Sequence, residues 1–225
     1  HTAGGRTLVE HVVRAATAVA QAGQIIVVTG HQAAEVKREL ASYGVRFVTQ
    51  PEQKGTADAV MACREAAGGA GRLVLILYGD CPLLLPSTLE RLVEKQRRSA
   101  AAATLLTTAL DDPAGYGRIV RDAGGNLRAI VEEKAAAAEQ LAIREINAGI
   151  YCFRADLLWE FIPRIQPYNP AGEYYLTDMV ELLRHAGYDI GSVFHADAQE
   201  LLGVNSRVDL AAADKVLRAR TARRL

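Results

Sequence analysis

The first hundred residues alternate short apolar runs with longer segments in which apolar residues recur at helical spacing. The apolar runs cover 24–30, 45–50 and 73–77, and the helical segments cover 6–23, 31–44, 55–71 and 87–99. Strands that alternate with helices are typical of a parallel sheet, because each crossover helix packs on a face of that sheet. The sequence therefore predicts an α/β, Rossmann-like fold with a mostly parallel sheet and helices on both faces.

The second half of the chain has a more antiparallel pattern. A strand over 103–110 is followed by a predicted hairpin over 117–134, with glycines at its turn. The remaining predicted elements are a strand leading into a helix over 144–158, a capped helix over 172–187, a strand over 189–196 and a helix from 206 onward. We therefore predict one domain, 1–205, with an inserted antiparallel subregion, and a C-terminal helix over 206–225.

Charge and cysteine content exclude several classes of protein. Lysine plus arginine and aspartate plus glutamate number 26 each, so no basic field indicates nucleic acid or an anionic membrane as partner. The three cysteines, Cys63, Cys81 and Cys152, are odd in number and widely spaced, which argues against a disulfide framework. No apolar run approaches the roughly 20 residues that span a bilayer, and no secretory signal opens the chain. A cytoplasmic location is therefore expected.

A single carboxylate follows the most apolar strand. The run from Leu73 to Leu77 ends at Tyr78-Gly79-Asp80, and Pro82 comes two residues later. Ligands of open parallel sheets bind beyond the carboxyl ends of the strands, and Mg²⁺ needs only one or two protein oxygens there. On this segment alone, an acid in a turn before a proline is the commoner situation.

The segment 49–60 offers polar groups suited to a nucleotide. Gln50 and Gln53 carry amides that can both donate and accept, as reading a pyrimidine edge requires. Gly55 and Thr56 open a predicted helix, whose first amides and positive dipole end favour a polar or anionic ligand. An ordinary helix start after a polar loop is the alternative.

Further candidates interrupt apolar segments of the second half. Asn147 and Gly149 lie within an apolar strand, which predicts either a bulge or a ligand contact. The others lie at the ends of strands and helices: Gly117 beside Tyr116, Glu132, Lys134, Tyr175, Thr177 and Asn205. Taken one at a time, each is equally well explained as a solvated end of an element.

The order of these motifs is more specific than any one of them. Along the chain stand Q-x-E-Q-x-G-T-A, Y-G-D-x-P-L, G-Y-G-R-I, V-E-x-K, E-I-N-x-G-I, G-E-Y-Y-L-T-D and G-V-N-x-R. This series resembles the uridylyltransferase domain of the bacterial bifunctional N-acetylglucosamine-1-phosphate uridyltransferase/glucosamine-1-phosphate acetyltransferase family. The resemblance runs from about residue 4 to about residue 215.

The resemblance implies a fold of the nucleotide-diphospho-sugar transferase type and a specific reaction. That family joins UTP to N-acetylglucosamine 1-phosphate with Mg²⁺, giving UDP-N-acetylglucosamine and pyrophosphate for cell-envelope precursors. By matching positions, Asp80 and Asn205 would be the catalytic metal ligands. The nucleotide would contact Gln50, Gly55, Thr56, Tyr78, Gly79 and Asp80, and the sugar would contact Gly117, Glu132, Lys134, Asn147, Tyr175 and Thr177.

The chain departs from the family pattern in four places. The Gly-rich loop that carries an Arg and a Lys of that family is expected before His1, and a chain that began at His1 should be inactive. The acetyltransferase β-helix, through which a full-length homotrimer is expected, would follow Leu225. Asp58 stands where the family often has His, and Ala135 where it often has Asp.

Three other functions compete with this interpretation. A sugar-1-phosphate nucleotidyltransferase with another base or sugar is the nearest. A nucleotide-sugar glycosyltransferase usually needs an acid-x-acid metal motif, whereas Asp80 is followed by Cys81-Pro82. A non-catalytic nucleotide-binding module is the third alternative, and it belongs to a different class of protein.

Overall fold

The computed structural model describes residues 1–68, 73–169 and 171–223. The strands in these residues are β1 (Thr2–Ala3), β2 (Arg6–Thr7), β3 (Ile26–Thr29), β4 (Arg46–Thr49), β5 (Leu73–Ile76), β6 (Ala103–Ala109), β7 (Arg118–Arg121), β8 (Leu127–Val131), β9 (Glu145–Arg154) and β10 (Ile190–Phe194). The α-helices are α1 (Leu8–Ala16), α2 (Ala33–Glu39), α3 (Thr56–Ala62), α4 (Arg64–Ala67), α5 (Pro86–Arg98), α6 (Ala138–Leu141), α7 (Ala155–Phe161), α8 (Asp178–His185), α9 (Ala198–Leu201) and α10 (Arg207–Ala222). The glycine-rich turn expected near residue 70 lies outside the described residues.

The largest sheet has six strands and is built around β9. Strands β5, β6 and β7 all pair antiparallel with β9, β8 pairs antiparallel with β7, and β10 pairs parallel with β6. Strands β3 and β4 form a separate parallel pair, and β1 and β2 a short antiparallel one. Within the described ranges, parallel strand pairs are limited to β3–β4 and β6–β10, and the predicted hairpin is β7–β8. The prediction of a mostly parallel sheet is therefore wrong for the six-stranded sheet, because three strands pair antiparallel with β9.

Helices cover both faces of the six-stranded sheet, as predicted. Along β9, Tyr151 and Phe153 pack with residues of α7 and α8, whereas Ile150 and Cys152 pack with residues of α1 and α5. Successive residues of a strand point to opposite faces, and all four side chains are fully buried because helices cover both of these faces. The α/β prediction is confirmed, and β9 is buried throughout its centre.

The polar interruption of β9 coincides with an irregularity in its pairing. Leu105 pairs with Tyr151 but Thr107 pairs with Asn147, so the register of β6 and β9 shifts between these two pairs. Gly149 lies inside the shift with a φ of +73°, a left-handed conformation that favours glycine. This bulge is one of the two explanations that the sequence left open.

Two predicted helices have different bounds in the structure. The segment predicted as one helix over 55–71 is divided at Cys63 into α3 and α4. The helix predicted over 172–187 begins only at Asp178, because the N–H groups of the preceding Tyr174 and Leu176 donate to Lys54 and Thr56. Both differences place loop residues, rather than helix residues, around the candidate site.

The terminal helix α10 packs back on the start of the chain. Ala213 and Leu217 are buried with Ala3 and Leu83, and Ser206 caps the helix in a capping box. The division at residue 205 remains a prediction. None of the helices in the described residues is both long and apolar enough to cross a membrane.

Candidate active site

Asp80 lies beyond the carboxyl end of β5, in the loop that precedes α5. The backbone N–H of Val204 donates to the Asp80 carbonyl oxygen at 2.9 Å. A Cβ at position 203 would lie 3.0 Å from Oδ2 of Asp80, a tight contact that favours a glycine. The loop 203–205 therefore covers Asp80, and Asn205 lies next to the residue whose N–H makes the contact.

The donor set of this loop pair fits a hard cation. The Asp80 carboxylate is half-buried, and its Oδ1 lies 3.6 Å from Sγ of Cys81, a weak donor. Asn205 is exposed and carries a neutral amide oxygen two residues after Gly203. Three or more His, Cys, Asp or Glu side chains do not gather into a metal-holding group anywhere in the described residues. One carboxylate with one amide oxygen is the small protein ligand set that Mg²⁺ accepts.

Cys81 adds no negative charge beside Asp80. Burial is the main cause that raises the pKa of the Cys81 thiol, and the Asp80 carboxylate raises it further. The thiol is therefore protonated at neutral pH. Its Sγ also lies 3.6 Å from the carbonyl oxygen of Leu201, at the end of α9.

Glu200 holds the two loops of the site together. Its side chain is 3% exposed; Oε1 accepts from the Leu85 N–H at 3.0 Å, and Oε2 lies 3.0 Å from Nε2 of His195. Leu85 ends the loop that carries Asp80, whereas Glu200 precedes the loop that carries Asn205. The sequence does not single out Glu200, because its spacing does not distinguish it from an exposed acid of a short helix.

Gln50 lies in a cleft at the end of β4. Its side chain is buried, and Nε2 donates to Oδ2 of Asp58 at 2.6 Å and to the Gly55 carbonyl oxygen at 3.3 Å. The cleft has a volume of about 410 Å³ and is lined by Gly30, His31, Thr49, Gln50, Pro51 and Gln53. Two predicted amides, those of Gln50 and Gln53, thus share one cavity.

The loop 54–57 is bound to the segment 174–176. Tyr174 donates its N–H to the Lys54 carbonyl oxygen at 2.7 Å, and the Ala57 N–H donates to the Tyr174 carbonyl oxygen at 2.9 Å. Gly55 has a φ of +115°, and a Cβ there would lie 2.7 Å from N of Tyr174. One of the first amides of α3, expected to face a ligand, is therefore used within the protein. These contacts join the nucleotide motif to the sugar motif.

Tyr78 lies between the predicted nucleotide and sugar residues. Its ring occupies the space of a side chain at Gly149, where a Cβ would lie 2.7 Å from Cδ2 of the ring. Burial raises the pKa of Tyr78 to about 12; contact with Thr56 opposes this shift, and the carboxylates of Glu132 and Asp80 add to it. Residues from three predicted motifs thus influence the ionisation of one neutral phenol.

Four predicted sugar residues are brought together behind Tyr78. Asn147 donates from Nδ2 to the Tyr151 hydroxyl at 2.6 Å, and its N–H donates to the Gly117 carbonyl oxygen at 2.9 Å. A Cβ at Gly117 would lie 3.4 Å from Oε1 of Glu132, the atom that accepts from Thr177. Gly117, Glu132, Asn147 and Thr177 thus form one connected polar cluster.

The other two predicted sugar residues lie at the margin of this cluster. Tyr175 is half-buried; burial raises its pKa, with contributions from Glu173 and Glu132. Lys134 lies on a short 3₁₀ turn, Glu133–Ala135, and is exposed. Lys134 therefore lies outside the buried cluster. Its long, flexible side chain carries the ammonium at the exposed surface.

Asp178 is a titratable group that the sequence analysis did not assign. Burial raises its pKa to about 6, and the nearby carboxylates of Glu181 and Glu132 contribute. It follows Thr177 directly in the G-E-Y-Y-L-T-D motif, which was the available signal. Its environment depends on α8 packing beside Glu132, a contact between segments 46 positions apart that spacing alone does not reveal.

Residues 1–146 match the model of the MobA-like NTP transferase domain. The chain belongs to this family.

Within the MobA-like NTP transferases it is similar to curated proteins named Bifunctional protein GlmU. Its identity to that of Solibacter usitatus is 48% over 223 residues, covering 99% of this chain and 48% of the relative. Its identity to that of Desulfotalea psychrophila is 42% over 220 residues, covering 98% and 65%. The chain thus spans roughly half to two thirds of the length of these relatives.

Two solved structures share the fold at low sequence identity. A CMP:2-keto-3-deoxy-manno-octonic acid synthetase complexed with CTP matches with a TM-score of 0.67 and 19% identity, covering 100% of this chain and 91% of the other. A structure from Bacillus anthracis, assigned as a glucose-1-phosphate thymidylyltransferase, matches with a TM-score of 0.70 and 19% identity, covering 94% and 82%. The MobA-like domain therefore has the mixed α/β nucleotidyltransferase fold.

Proposed function

We propose that this protein transfers the uridylyl group of UTP to N-acetylglucosamine 1-phosphate, giving UDP-N-acetylglucosamine and pyrophosphate. The observation that carries the proposal is the position of Tyr78: its ring packs on Gly149, and Thr56, Glu132 and Asp80 are all near enough to shift its pKa. Groups suited to a base, a sugar and a cation thus meet at one residue. Identity of 48% to a GlmU protein supports this choice of substrates.

Each substrate has its own set of proposed contacts. Gln50, Gly55 and Thr56 hold the uracil, and Tyr78 and Gly79 line the path from the base to the phosphates. Gly117, Glu132, Asn147, Tyr175 and Thr177 hold the acetamido sugar, with the Glu132 carboxylate accepting from a sugar hydroxyl. Lys134, exposed on its 3₁₀ turn, is proposed to reach a phosphate.

Asp80 and Asn205 are the residues proposed to hold Mg²⁺. Their loops are tied together by the Val204 N–H and, one step further away, by Glu200. The cation, when bound, offsets the charge of the phosphates that the two substrates bring together. The protein's own contribution is to keep the carboxylate and the amide oxygen in place before either substrate arrives.

The proposed chemistry is one in-line displacement. An oxygen of the sugar phosphate attacks the α-phosphorus of UTP, and the bond from that phosphorus to the pyrophosphate oxygen breaks. No covalent intermediate with the protein is needed, because attacking and leaving groups lie on opposite sides of one phosphorus. Catalysis then rests on positioning two anions and stabilising their charge.

The direct test is to incubate the protein, at its full natural length, with UTP, N-acetylglucosamine 1-phosphate and Mg²⁺, and to measure pyrophosphate. We expect turnover with this pair, and much slower turnover with CTP or with glucose 1-phosphate. Faster turnover with another base or sugar would favour a related nucleotidyltransferase. Nucleotide binding without turnover would favour a binding module. A homotrimer formed through a following acetyltransferase domain remains a prediction.

A further inference from the structure

We propose that Asp58 is a positioning residue that sets base specificity, by fixing which end of the Gln50 amide faces the cleft. With Nε2 held inward, the amide presents Oε1 to a ligand, which selects a pyrimidine whose N3 carries a hydrogen over one whose N3 does not. This role of Asp58 rests on the proposed use of UTP, because Asp58 would set the preference for uracil over cytosine.

The orientation of the amide follows from its two neighbours. Nε2 of Gln50 lies 2.6 Å from Oδ2 of Asp58 and 3.3 Å from the Gly55 carbonyl oxygen. A carboxylate and a carbonyl oxygen only accept hydrogen bonds. Rotating the amide by half a turn would place Oε1 against two acceptors, so the hydrogen-bond network allows one orientation.

The backbone of Gln50 is also held in place. Its N–H donates to the Thr29 carbonyl oxygen at 2.8 Å, which continues the pairing of β3 and β4. The side chain is 8% exposed, so it cannot turn freely into solvent. The Gln50 amide is therefore held in one position at the end of a strand, and is not a mobile surface group.

The other end of the amide is available to a ligand of the cleft that Gln50 lines. Among the residues that the structure describes, none donates a hydrogen bond to Oε1 of Gln50, and Gln50 lines the cleft together with Gly30 and Gln53. A ligand or water in this cleft must satisfy the acceptor. The cleft thus presents an oxygen acceptor whose direction is set from behind by Asp58.

Pyrimidines differ at the atom that such an acceptor would meet. N3 of uracil and thymine carries a hydrogen and donates, whereas N3 of cytosine has a lone pair and accepts. An acceptor facing N3 gains a hydrogen bond with uracil and opposes two lone pairs with cytosine. A site built to make a hydrogen bond rejects a ligand that leaves its buried group unpaired.

The test compares the affinities of the folded protein for UTP and CTP in the presence of Mg²⁺, measured by titration calorimetry. In Asp58→Asn, the new amide can donate to Oε1 of Gln50, so the opposite orientation becomes available. We expect the UTP-to-CTP affinity ratio to fall by about tenfold or more. The matched control, Glu65→Gln on the exposed surface of the neighbouring helix α4, should leave the ratio unchanged.

A purely structural role of Asp58 would weaken both nucleotides equally. An unchanged ratio in folded Asp58→Asn, or a wild-type protein that binds UTP and CTP equally, would overturn the proposal. As a measurement that needs no folded variant, N3-methyl-UTP should bind the wild-type protein at least about tenfold more weakly than UTP. Equal binding of these two nucleotides would also overturn it. Turnover is measured separately, so missing uridylyl transfer with an intact base preference rejects only the proposed reaction.

Discussion

At the scale of single residues, the site depends on contacts that leave no room for a side chain. Gly203 lies against the Asp80 carboxylate, Gly149 against the Tyr78 ring and Gly55 against Tyr174. The sequence marked Gly149 and Gly55 as unusual, but it could not name their partners, because each partner lies far along the chain. Asp80 and Asn205 could be paired only through the family resemblance, since no spacing rule relates residues 125 positions apart.

Replacing Asp80 by Asn should abolish activity and leave the fold intact. The change removes the only carboxylate of the proposed ligand pair. The hydrogen bond that the Asp80 side chain accepts is a weak one from the Cys81 thiol. We expect kcat/KM for uridylyl transfer to fall by about a thousandfold or more, with an unchanged thermal unfolding midpoint. The exposed control Asp112→Asn should retain full activity; near-native activity of Asp80→Asn would reject the assignment.

Replacing Gly149 by Ala should destabilise the fold through Tyr78. A Cβ at this position would overlap the tyrosine ring, and the φ of +73° adds strain. Gly187→Ala is the matched control, because its φ of +87° brings the same kind of strain with nothing within 4 Å. In urea unfolding, Gly149→Ala should lose at least roughly 1 kcal/mol more than Gly187→Ala. Equal losses would show that Tyr78 moves aside freely.

At the scale of elements, periodicity predicted the types of most strands and helices. The apolar runs of β3, β4 and β5 and the amphipathic patterns of α1 and α5 needed no tertiary information. The start of α8 could not be predicted, because the N–H groups of Tyr174 and Leu176 donate to Lys54 and Thr56, which belong to a distant segment. Tertiary hydrogen bonds override local signals at such positions.

The tie between α9 and the start of α5 should be worth more than an exposed ion pair. Glu200→Ala would leave the Leu85 N–H without its acceptor in a buried setting. We expect the free energy of unfolding to fall by roughly 3 kcal/mol, and by less in Glu200→Gln, which keeps one acceptor. Glu160→Ala, which breaks an exposed i,i+4 pair with Arg164, should change it by less than about 0.5 kcal/mol. Similar losses of unfolding free energy in Glu200→Ala and Glu160→Ala would show that Glu200 does not tie α9 to the start of α5.

The first turn of α8 should give stability a specific pH dependence. Asp178 has a pKa raised from 3.8 to about 6, chiefly by burial, so the folded state holds a proton that the unfolded state releases. Its contribution to stability is therefore fully present below pH 3.8 and is lost as pH rises through about 6. Asp178→Asn should lack this loss, so its unfolding free energy relative to wild type should rise between these pH values. Chemical denaturation across that range, with Asp112→Asn as the exposed control, measures the difference; parallel curves would contradict it.

At the scale of the whole molecule, the arrangement of strands was the least predictable feature. The alternation of strands and helices predicted an α/β fold, and the structure and its solved relatives confirm it. The central position of antiparallel β9 follows from its apolar length, which lets it pair with β5, β6 and β7. Its polar interruption then faces Tyr78, so the strand that organises the sheet also forms part of the candidate site.

The whole site is proposed to transfer a uridylyl group from UTP to a sugar phosphate. The most direct measurement follows UTP labelled at its α-phosphate, mixed with the full-length protein and Mg²⁺, with and without N-acetylglucosamine 1-phosphate. We expect label in UDP-N-acetylglucosamine, with one unlabelled pyrophosphate per product, only when the sugar phosphate is present. Label that stays in UTP, or that leaves as UMP regardless of the sugar phosphate, would contradict it.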